Sequence, residues 1–247
     1  MKKDYKWLTE KPATHRGFHD NKIAPENSLL AIKNATEAGY NIEFDVHMTK
    51  TGVLVVHHDY VLTRTANQNV KVKDLDTDHL EKYPLFGTKE CIPTFNDVLN
   101  TVDGKVGLII EIKPTRHPKP VCDAVIERLK SYKGKYCLES FDIGVVNYIH
   151  KNYPDEILGQ LYEGKQVWQR VMALCLKQHK KVDFLAICID QVYLKKYSEI
   201  KKKYPEKLLI TWTVRTPKQL EDAKKVCDNY IFETNKKNPD YIEPPII

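Results

Sequence analysis

Short apolar runs rich in β-branched residues alternate with amphipathic stretches along most of the chain. This alternation predicts a parallel α/β architecture, in which most strands are followed by a helix that covers the sheet. The apolar runs predict nine strands, at residues 13–15, 41–46, 53–58, 107–113, 136–140, 157–162, 184–189, 208–214 and 229–233. The amphipathic stretches predict helices at residues 28–38, 94–102, 120–131, 143–152, 166–179, 193–203 and 217–226.

One of the nine predicted strands has no place in a (β/α)₈ barrel, which closes with eight parallel strands. The gap between the strands at 41–46 and 53–58 is too short for a crossover helix. The segment Thr49-Lys50-Thr51-Gly52 instead predicts a tight turn with its glycine in the left-handed conformation. The sequence therefore predicts a single α/β TIM barrel over residues 1–247, with a hairpin after the second strand.

Residues 60–93 form the longest stretch that lacks the alternating pattern, and they are rich in charged and turn-forming residues. Stretches of this length inside a compact domain usually have a function. We expect an inserted segment on the catalytic face, either as a lid or as an excursion over the surface.

Composition narrows the class of protein further. The chain has 247 residues, of which 42% are hydrophobic, and this suits a barrel with a sizeable core. Its net charge of +6 suits an acidic substrate, but the lysines are spread along the chain, so we expect no nucleic-acid partner. The N-terminus lacks the apolar core of a secretion signal and no stretch has the length of a membrane span, which favours a cytoplasmic protein without stable membrane insertion. Six widely spaced cysteines without a C-x-x-C pair argue against a disulfide framework.

Acidic residues occupy the inward positions of two predicted strands. Residues two apart on a strand share a face, so Glu43 and Asp45 project together, as do Glu111 and Lys113. Carboxylates aimed into a barrel repel one another and need a cation. Three of them suit a hard divalent ion such as Mg²⁺ or Ca²⁺, and the absence of a histidine or cysteine ligand cluster argues against zinc. The alternative is ion pairing with lysines.

Two histidines are predicted to flank this cluster. His15 ends the first strand, and the hairpin returns His57 and His58 to the level of Glu43–Asp45, with a register fixed to within one residue. Imidazoles titrate near neutral pH, so His15 and His58 are candidates for a general base and a general acid. His19, His47 and His57 adjoin the proposed site and have a weaker claim.

Cations and aromatic side chains complete the candidate site. Arg16 and Lys113 supply fixed positive charge beside the carboxylates, which suits a phosphate ester. Phe141 and Trp212 end predicted strands and are candidates for the pocket wall, although core packing is the more common explanation of such a pattern.

The motifs and their order along the chain resemble those of the glycerophosphodiester phosphodiesterase family. The matching segments are His15-Arg16-Gly17, Pro25-Glu26-Asn27-Ser28, Ile42-Glu43-Phe44-Asp45-Val46, Thr49-Lys50-Thr51-Gly52, Val55-Val56-His57-His58-Asp59, Leu62-Thr63-Arg64-Thr65, Ile92-Pro93-Thr94, Ile110-Glu111-Ile112-Lys113, Ser140-Phe141 and Trp212-Thr213-Val214. The resemblance implies a TIM barrel with an insertion after the hairpin.

The resemblance also implies roles for individual residues. It implies Glu43, Asp45 and Glu111 as ligands of Mg²⁺ or Ca²⁺, with Mn²⁺ a further candidate. His15 and His58 would be the acid–base pair, and Arg16 and Lys113 would hold the phosphate. Glu26 would be a supporting residue, either orienting the catalytic groups or stabilising the start of a helix.

Three positions depart from the family pattern: Ser28 stands where threonine is usual, Arg215 where asparagine is common, and Glu233 where aspartate is common. None is a predicted metal ligand or catalytic histidine.

The expected activity is metal-dependent hydrolysis of glycerophosphodiesters to glycerol 3-phosphate and an alcohol, either directly by water or through a cyclic phosphate. Alternatives are a phospholipase D-like or lysophospholipase-type phosphodiesterase acting on intact lipids, and a catalytically silent barrel that binds phosphorylated ligands. The sequence leaves the head group and the oligomeric state open.

Overall fold

Parallel strands close into a barrel in the computed structural model, which describes residues 3–163, 180–191, 199, 201–234, 238 and 240–247. Within these residues the strands are β1 Ala13–His15, β2 Asn41–Met48, β3 Leu54–Val56, β4 Leu108–Ile112, β5 Tyr136–Ser140, β6 Leu158–Tyr162, β7 Phe184–Cys188, β8 Leu208–Val214 and β9 Asn229–Phe232. Their order round the sheet is β1-β9-β8-β7-β6-β5-β4-β2-β3, and β1 also pairs with β2. Eight parallel strands thus form the closed barrel, as the sequence predicts.

The described helices cover the outside of the barrel or lie at its ends. They are α1 Trp7–Glu10, α2 Leu29–Ala38, α3 Thr63–Ala66, α4 Phe95–Val102, α5 Pro118–Leu129, α6 Ile143–Asn152 and α7 Pro217–Val226. Single 3₁₀ turns lie at Val72–Asp74, Leu80–Lys82, Leu85–Gly87 and Ile189–Gln191. The helix predicted at 166–179 lies outside the described residues, and the one predicted at 193–203 lies mostly outside them.

Strand β3 is the antiparallel arm of the predicted hairpin. Val46 pairs with Val56, and the next amide, His57 N, donates to Asp45 O at 3.0 Å. Gly52 turns the chain with a φ of 83°, a conformation that side-chain-bearing residues rarely adopt. The expected register is therefore confirmed: the histidine pair returns to the level of the acidic strand.

The inserted segment has an apolar core of its own. Leu62, Val72, Leu85 and Ile92 are buried together against Val55 of β3. Its first residues also contact the end of the barrel, since Tyr60 Oη donates to the Pro114 carbonyl at 3.0 Å. The segment is thus a packed element attached to the hairpin, and not an open loop.

Two apolar layers support the barrel. The inner layer includes Ile109, Phe184 and Ile210, and the outer layer lies between the strands and the helices. Trp7 and Leu8 of α1 join the inner layer at the end where the strands begin. Asparagine side chains hold α1 there: Asn41 Nδ2 donates to Trp7 O at 3.2 Å, and Asn229 Nδ2 donates to Leu8 O at 2.6 Å. One end of the barrel is therefore closed, and polar chemistry is left to the other.

Neither a disulfide nor a membrane span occurs in the part of the chain that is described. Cys91, Cys122, Cys137, Cys188 and Cys227 are unbridged, and Cys175 lies outside the described residues. Among the helices described, none combines the length and the apolar character needed to cross a membrane.

The inner layer makes a testable contribution to stability. Phe184 is completely buried in it, so Phe184→Ala should lower the free energy of unfolding by about 3–5 kcal/mol through lost burial and an unfilled cavity. Denaturant unfolding measures this loss. The exposed Ile23 supplies the control, since Ile23→Ala should change stability little. Equal effects of the two substitutions would contradict the assignment of Phe184 to the core.

Candidate active site

The three carboxylates that the sequence predicts as metal ligands lie together where the strands end. One oxygen from each of Glu43, Asp45 and Glu111 lies within 4.8 Å of the others, and all three residues are buried. The parallel register explains this, because Asp45 on β2 lies directly beside Glu111 on β4. The structure thus forms the acidic cluster that strand alternation predicts.

Two cations are drawn into this cluster. Lys113 Nζ lies 3.1 Å from Asp45 Oδ1 and 2.9 Å from Glu111 Oε1, and Arg16 Nε lies 3.6 Å from Asp45 Oδ2. Burial alone would raise the pKa of Asp45, but Lys113 and Arg16 outweigh it and hold that pKa well below its usual range. Both predicted phosphate-binding residues therefore contact carboxylates here.

The positive charges of Lys113 and Arg16 do not lower the pKa of every carboxylate in the cluster. Burial, and then the negative charges of Asp45 and Glu111, raise the pKa of Glu43 well above its usual value. Burial also raises the pKa of Glu111 to about 7, although Lys113 opposes the shift. The cluster thus contains more buried carboxylate than its two cations neutralise.

A fourth carboxylate, Glu139, was missed by the sequence analysis. It lies on β5 directly beside Glu111 and is almost completely buried. Its Oε2 has no hydrogen-bond partner among the described residues, and burial raises its pKa well above the usual value. The same alternation was available as a signal, because Glu139 is two residues from the inward-facing Phe141.

The four residues fit a hard divalent cation. Carboxylate oxygens are the preferred ligands of Mg²⁺ and Ca²⁺, and an added positive charge would relieve the repulsion that raises the pKa values of Glu43 and Glu139. The Glu139 oxygen that lacks a partner would gain a cation nearby.

The candidate catalytic histidines line the same cavity as three of the four carboxylates. The cavity measures about 310 Å³, and its lining includes His15, His58, Glu43, Glu111 and Glu139. A convergent set of ionisable groups in one concave site is typical of an active site.

Each of these imidazoles is oriented by a carboxylate. His15 Nδ1 donates to Glu233 Oε2 at 3.2 Å, and His58 Nδ1 donates to Asp59 Oδ1 at 2.6 Å. The Nδ1 proton fixes the tautomer, so Nε2 of each neutral ring is the basic nitrogen. Burial, assisted by Arg16, lowers the pKa of His15 to about 4, and burial also lowers that of His58.

The backbone bends sharply at His15-Arg16-Gly17, and the bend brings the Arg16 amide to Glu43. Arg16 has a φ of 57°, and its backbone N–H donates to Glu43 Oε2 at 3.1 Å. Gly17 has a φ of 81°, and a Cβ there would lie 2.9 Å from the Ala31 backbone. Only glycine fits at this position without displacing α2.

Glu26 connects this segment to the insertion. Its Oε1 accepts from Arg16 Nη1 at 2.6 Å, and Arg64 contacts both carboxylate oxygens at 2.7 Å. Ser28, and not Glu26, caps α2, because its Oγ accepts from the Ala31 amide at 3.1 Å. The contacts of Glu26 thus support an orienting role.

The two aromatic candidates lie in contact with each other in the cavity wall. Phe141 and Trp212 both line it, and their rings meet edge to face at 5.5 Å between centroids. Two of the weaker histidine candidates have partners of their own. The His57 ring nitrogens lie 2.8 Å from Thr65 Oγ1 and 2.8 Å from the Asp59 carbonyl oxygen, and His47 Nε2 lies 3.3 Å from the His58 carbonyl oxygen.

Two of the departures from the family pattern contact each other. Arg215 Nη2 and Nε donate to Glu233 Oε2 at 2.8 and 3.1 Å. The carboxylate that orients His15 is therefore itself fixed by Arg215, a contact that the linear sequence does not reveal.

Comparison with known proteins shows which family the chain resembles. The model of the glycerophosphoryl diester phosphodiesterase family matches residues 15–230. The chain belongs to this family. The expectation of a phosphoric diester hydrolase is thereby confirmed.

Relatives and solved structures resemble the chain over most of its length. A glycerophosphodiester phosphodiesterase of Caldanaerobacter subterraneus is 33% identical over 218 residues, which cover 84% of this chain and 86% of that protein. An Oleispira antarctica phosphodiesterase, solved in complex with the product sn-glycerol-3-phosphate, superposes with a TM-score of 0.74 at 20% identity and covers 92% of this chain and 93% of its own. A Parabacteroides distasonis glycerophosphodiester phosphodiesterase gives 0.74 at 23% identity, covering 90% and 92%. These structures confirm the barrel fold.

The Glu26 network predicts a pH-dependent contribution to stability. Burial alone would raise the pKa of Glu26, but its bonds with Arg64 and Arg16 lower it from 4.5 to about 2. The carboxylate therefore stabilises the fold above pH 4.5, and this contribution is lost as the pH falls through about 2. Glu26→Gln should lower the free energy of unfolding near neutral pH by on the order of 3 kcal/mol.

Denaturant unfolding across the acidic range tests this prediction. The stability difference between wild type and Glu26→Gln should narrow as the pH falls from 4.5 towards about 2. The exposed Glu37 serves as the control, and Glu37→Gln should have little effect at any pH. A difference that stays constant across this interval would contradict the assigned ion pairs.

Proposed function

We propose that this family member hydrolyses glycerophosphodiesters to glycerol 3-phosphate and an alcohol. The observation that carries the proposal is one cavity lined by two carboxylate-oriented imidazoles, His15 and His58, beside a cluster of buried carboxylates. Family membership supports the same reaction class.

A divalent cation is part of the proposal. Glu43, Asp45 and Glu111 would hold it, with Glu139 as a fourth carboxylate nearby. Mg²⁺ and Ca²⁺ suit these ligands, and Mn²⁺ also accepts carboxylates. When bound, the ion would offset negative charge that develops on the phosphoryl oxygens.

The two imidazoles divide the proton transfers between them. One ring, in its neutral form, accepts a proton at Nε2 from the attacking hydroxyl, whether of water or of the glycerol moiety. The other ring, in its imidazolium form, donates its Nε2 proton to the leaving alkoxide. Through their bonds to Nδ1, Glu233 and Asp59 leave Nε2 of each ring as the nitrogen that exchanges the proton.

Arg16 and Lys113 are proposed to attract the phosphate. Their carboxylate contacts place two positive charges beside the cavity, and a cation held by those carboxylates would weaken their hold on Lys113. Phe141 and Trp212 would supply an apolar wall for the carbon skeleton of the substrate. A cavity of about 310 Å³ suits a small diester better than an intact lipid.

The single domain over residues 1–247, the cytoplasmic location and the absence of a nucleic-acid partner stay predictions.

Product release tests the activity and the two histidines together. Wild-type protein should release glycerol 3-phosphate from at least one of glycerophosphocholine, glycerophosphoethanolamine, glycerophosphoinositol and glycerophosphoglycerol when a divalent metal is added, and chelation should abolish release. His15→Ala and His58→Ala should each lower kcat by about 10²–10⁴-fold, because a proton transfer loses its catalyst. His150→Ala, at an exposed position on α6, should leave kcat unchanged.

Two outcomes would count against the proposal. Full activity in either histidine variant would exclude its role in proton transfer. Intact diesters in the presence of metal, together with hydrolysis of lysolipids, would favour the lipid phosphodiesterase alternative, whereas ligand binding without turnover would favour the silent barrel.

The metal ligands have a separate test. Glu111→Gln removes one anionic ligand, so calorimetric titration with Mg²⁺, Ca²⁺ and Mn²⁺ should give an affinity at least about tenfold weaker than wild type for the ion that binds best. The exposed Glu127 on α5 provides the matched control, and Glu127→Gln should bind as wild type does. Equal affinities for all three proteins would contradict the assignment of Glu111.

A further inference from the structure

A second group of potential metal ligands lies beside His15 and shares no member with the carboxylate cluster. One ring nitrogen from each of His15 and His19 and one carboxylate oxygen of Glu233 all lie within 4.8 Å of one another. His15 Nδ1 and Glu233 Oε2 are already 3.2 Å apart. This separation is close to the ~3.4 Å between neighbouring ligands of a tetrahedral zinc ion with bonds of about 2.0–2.1 Å.

His19 is the member of this group that the proposed reaction does not explain. It is only 9% exposed, and neither of its ring nitrogens has a hydrogen-bond partner among the described residues. Buried polar groups in native proteins nearly always have a partner. An imidazole without one, beside a second imidazole and a carboxylate, therefore indicates a ligand that satisfies it.

The surroundings hold these side chains in place. Asp20 Oδ1 accepts from the amides of Lys22, Ile23 and Ala24 at 2.9–3.0 Å, which fixes the turn that follows His19. Arg215 fixes Glu233 from the other side, at 2.8 Å. Outer hydrogen bonds of this kind orient metal ligands. The Arg215 side chain is 37% exposed, so solvent screens part of its repulsion towards a bound cation.

The donor set selects a different class of ion from the carboxylate cluster. Two imidazoles and one carboxylate, with a fourth position left for water, are typical zinc ligands, whereas Mg²⁺ and Ca²⁺ prefer oxygen alone. The sequence analysis found no such cluster because Glu233 joins the two histidines only through folding, since β1 pairs with β9.

We propose that His15, His19 and Glu233 form a site for Zn²⁺ or a similar transition-metal ion, and that its occupancy inhibits the enzyme. The inhibitory part rests on the proposed function, because His15 cannot serve as an acid–base group in its usual state while it ligates a metal. The binding part stands on the ligand geometry alone.

Metal binding is measured first, independently of activity. Zn²⁺ is titrated calorimetrically into wild-type protein in the presence of saturating Mg²⁺, and Co²⁺ is used as a visible-absorption probe of the coordination. Wild type should bind one Zn²⁺ per chain, and His19→Gln should bind it at least about tenfold more weakly. His150→Gln is the matched control and should bind as wild type does.

A second variant guards against a local folding defect. Glu233→Gln should also weaken Zn²⁺ binding, and thermal unfolding with far-ultraviolet circular dichroism establishes that each variant is folded. Equal Zn²⁺ affinity in wild type and in a folded His19→Gln protein would overturn the proposed site, as would absence of the Co²⁺ spectrum from wild type.

Inhibition is measured relative to each protein's own rate without zinc. Zn²⁺ at the concentration that fills the site should suppress glycerol 3-phosphate release by wild type, and the concentration needed should rise at least about tenfold for His19→Gln. Zinc binding without any loss of rate would overturn the inhibitory role. A protein that binds Zn²⁺ at this site but releases no glycerol 3-phosphate even without it would contradict the proposed function and leave the site supported.

Discussion

Buried negative charge at one end of the barrel is the constraint on which the rest of the site depends. Glu43, Asp45, Glu111 and Glu139 come from three neighbouring strands, and each is at most 5% exposed. Ionised carboxylates are costly to bury unless opposite charges and hydrogen bonds compensate them. Lys113 compensates part of this charge, and the raised pKa values of Glu43 and Glu139 mark the remainder. That remainder is what a divalent cation would neutralise.

The fold separates stability from chemistry along the barrel axis. Apolar side chains fill the end closed by α1, and ionisable side chains are concentrated where the strands end. The same strands supply both regions, because Ile109 and Glu111 are two residues apart on β4 and therefore both point into the barrel. The insertion adds a further link through Arg64 and Glu26, which connects it to the bend at Arg16.

Local pattern predicted the strands and the side chains they aim inwards. Period-two alternation located Glu43, Asp45 and Glu111, and the turn at Gly52 predicted the hairpin that returns His58 to them. The ion-pair partners of Arg16 and Lys113 could not be predicted from the sequence, because they depend on distances between strands. The Arg215–Glu233–His15 contacts join residues up to 218 positions apart, so no local signal contained them. Glu139 was predictable by the same alternation and was overlooked.

The most direct measurement is a crystal structure of the protein with Mn²⁺, whose anomalous scattering locates the ion without reference to catalysis. If the carboxylate cluster is a metal centre, an anomalous peak will lie among Glu43, Asp45 and Glu111, and Lys113 will have withdrawn from at least one of its two carboxylates. A Mn²⁺-saturated crystal with no peak there, and with Lys113 still bound to Asp45 and Glu111, would contradict a metal centre and leave the cluster as a buried ion-pair network.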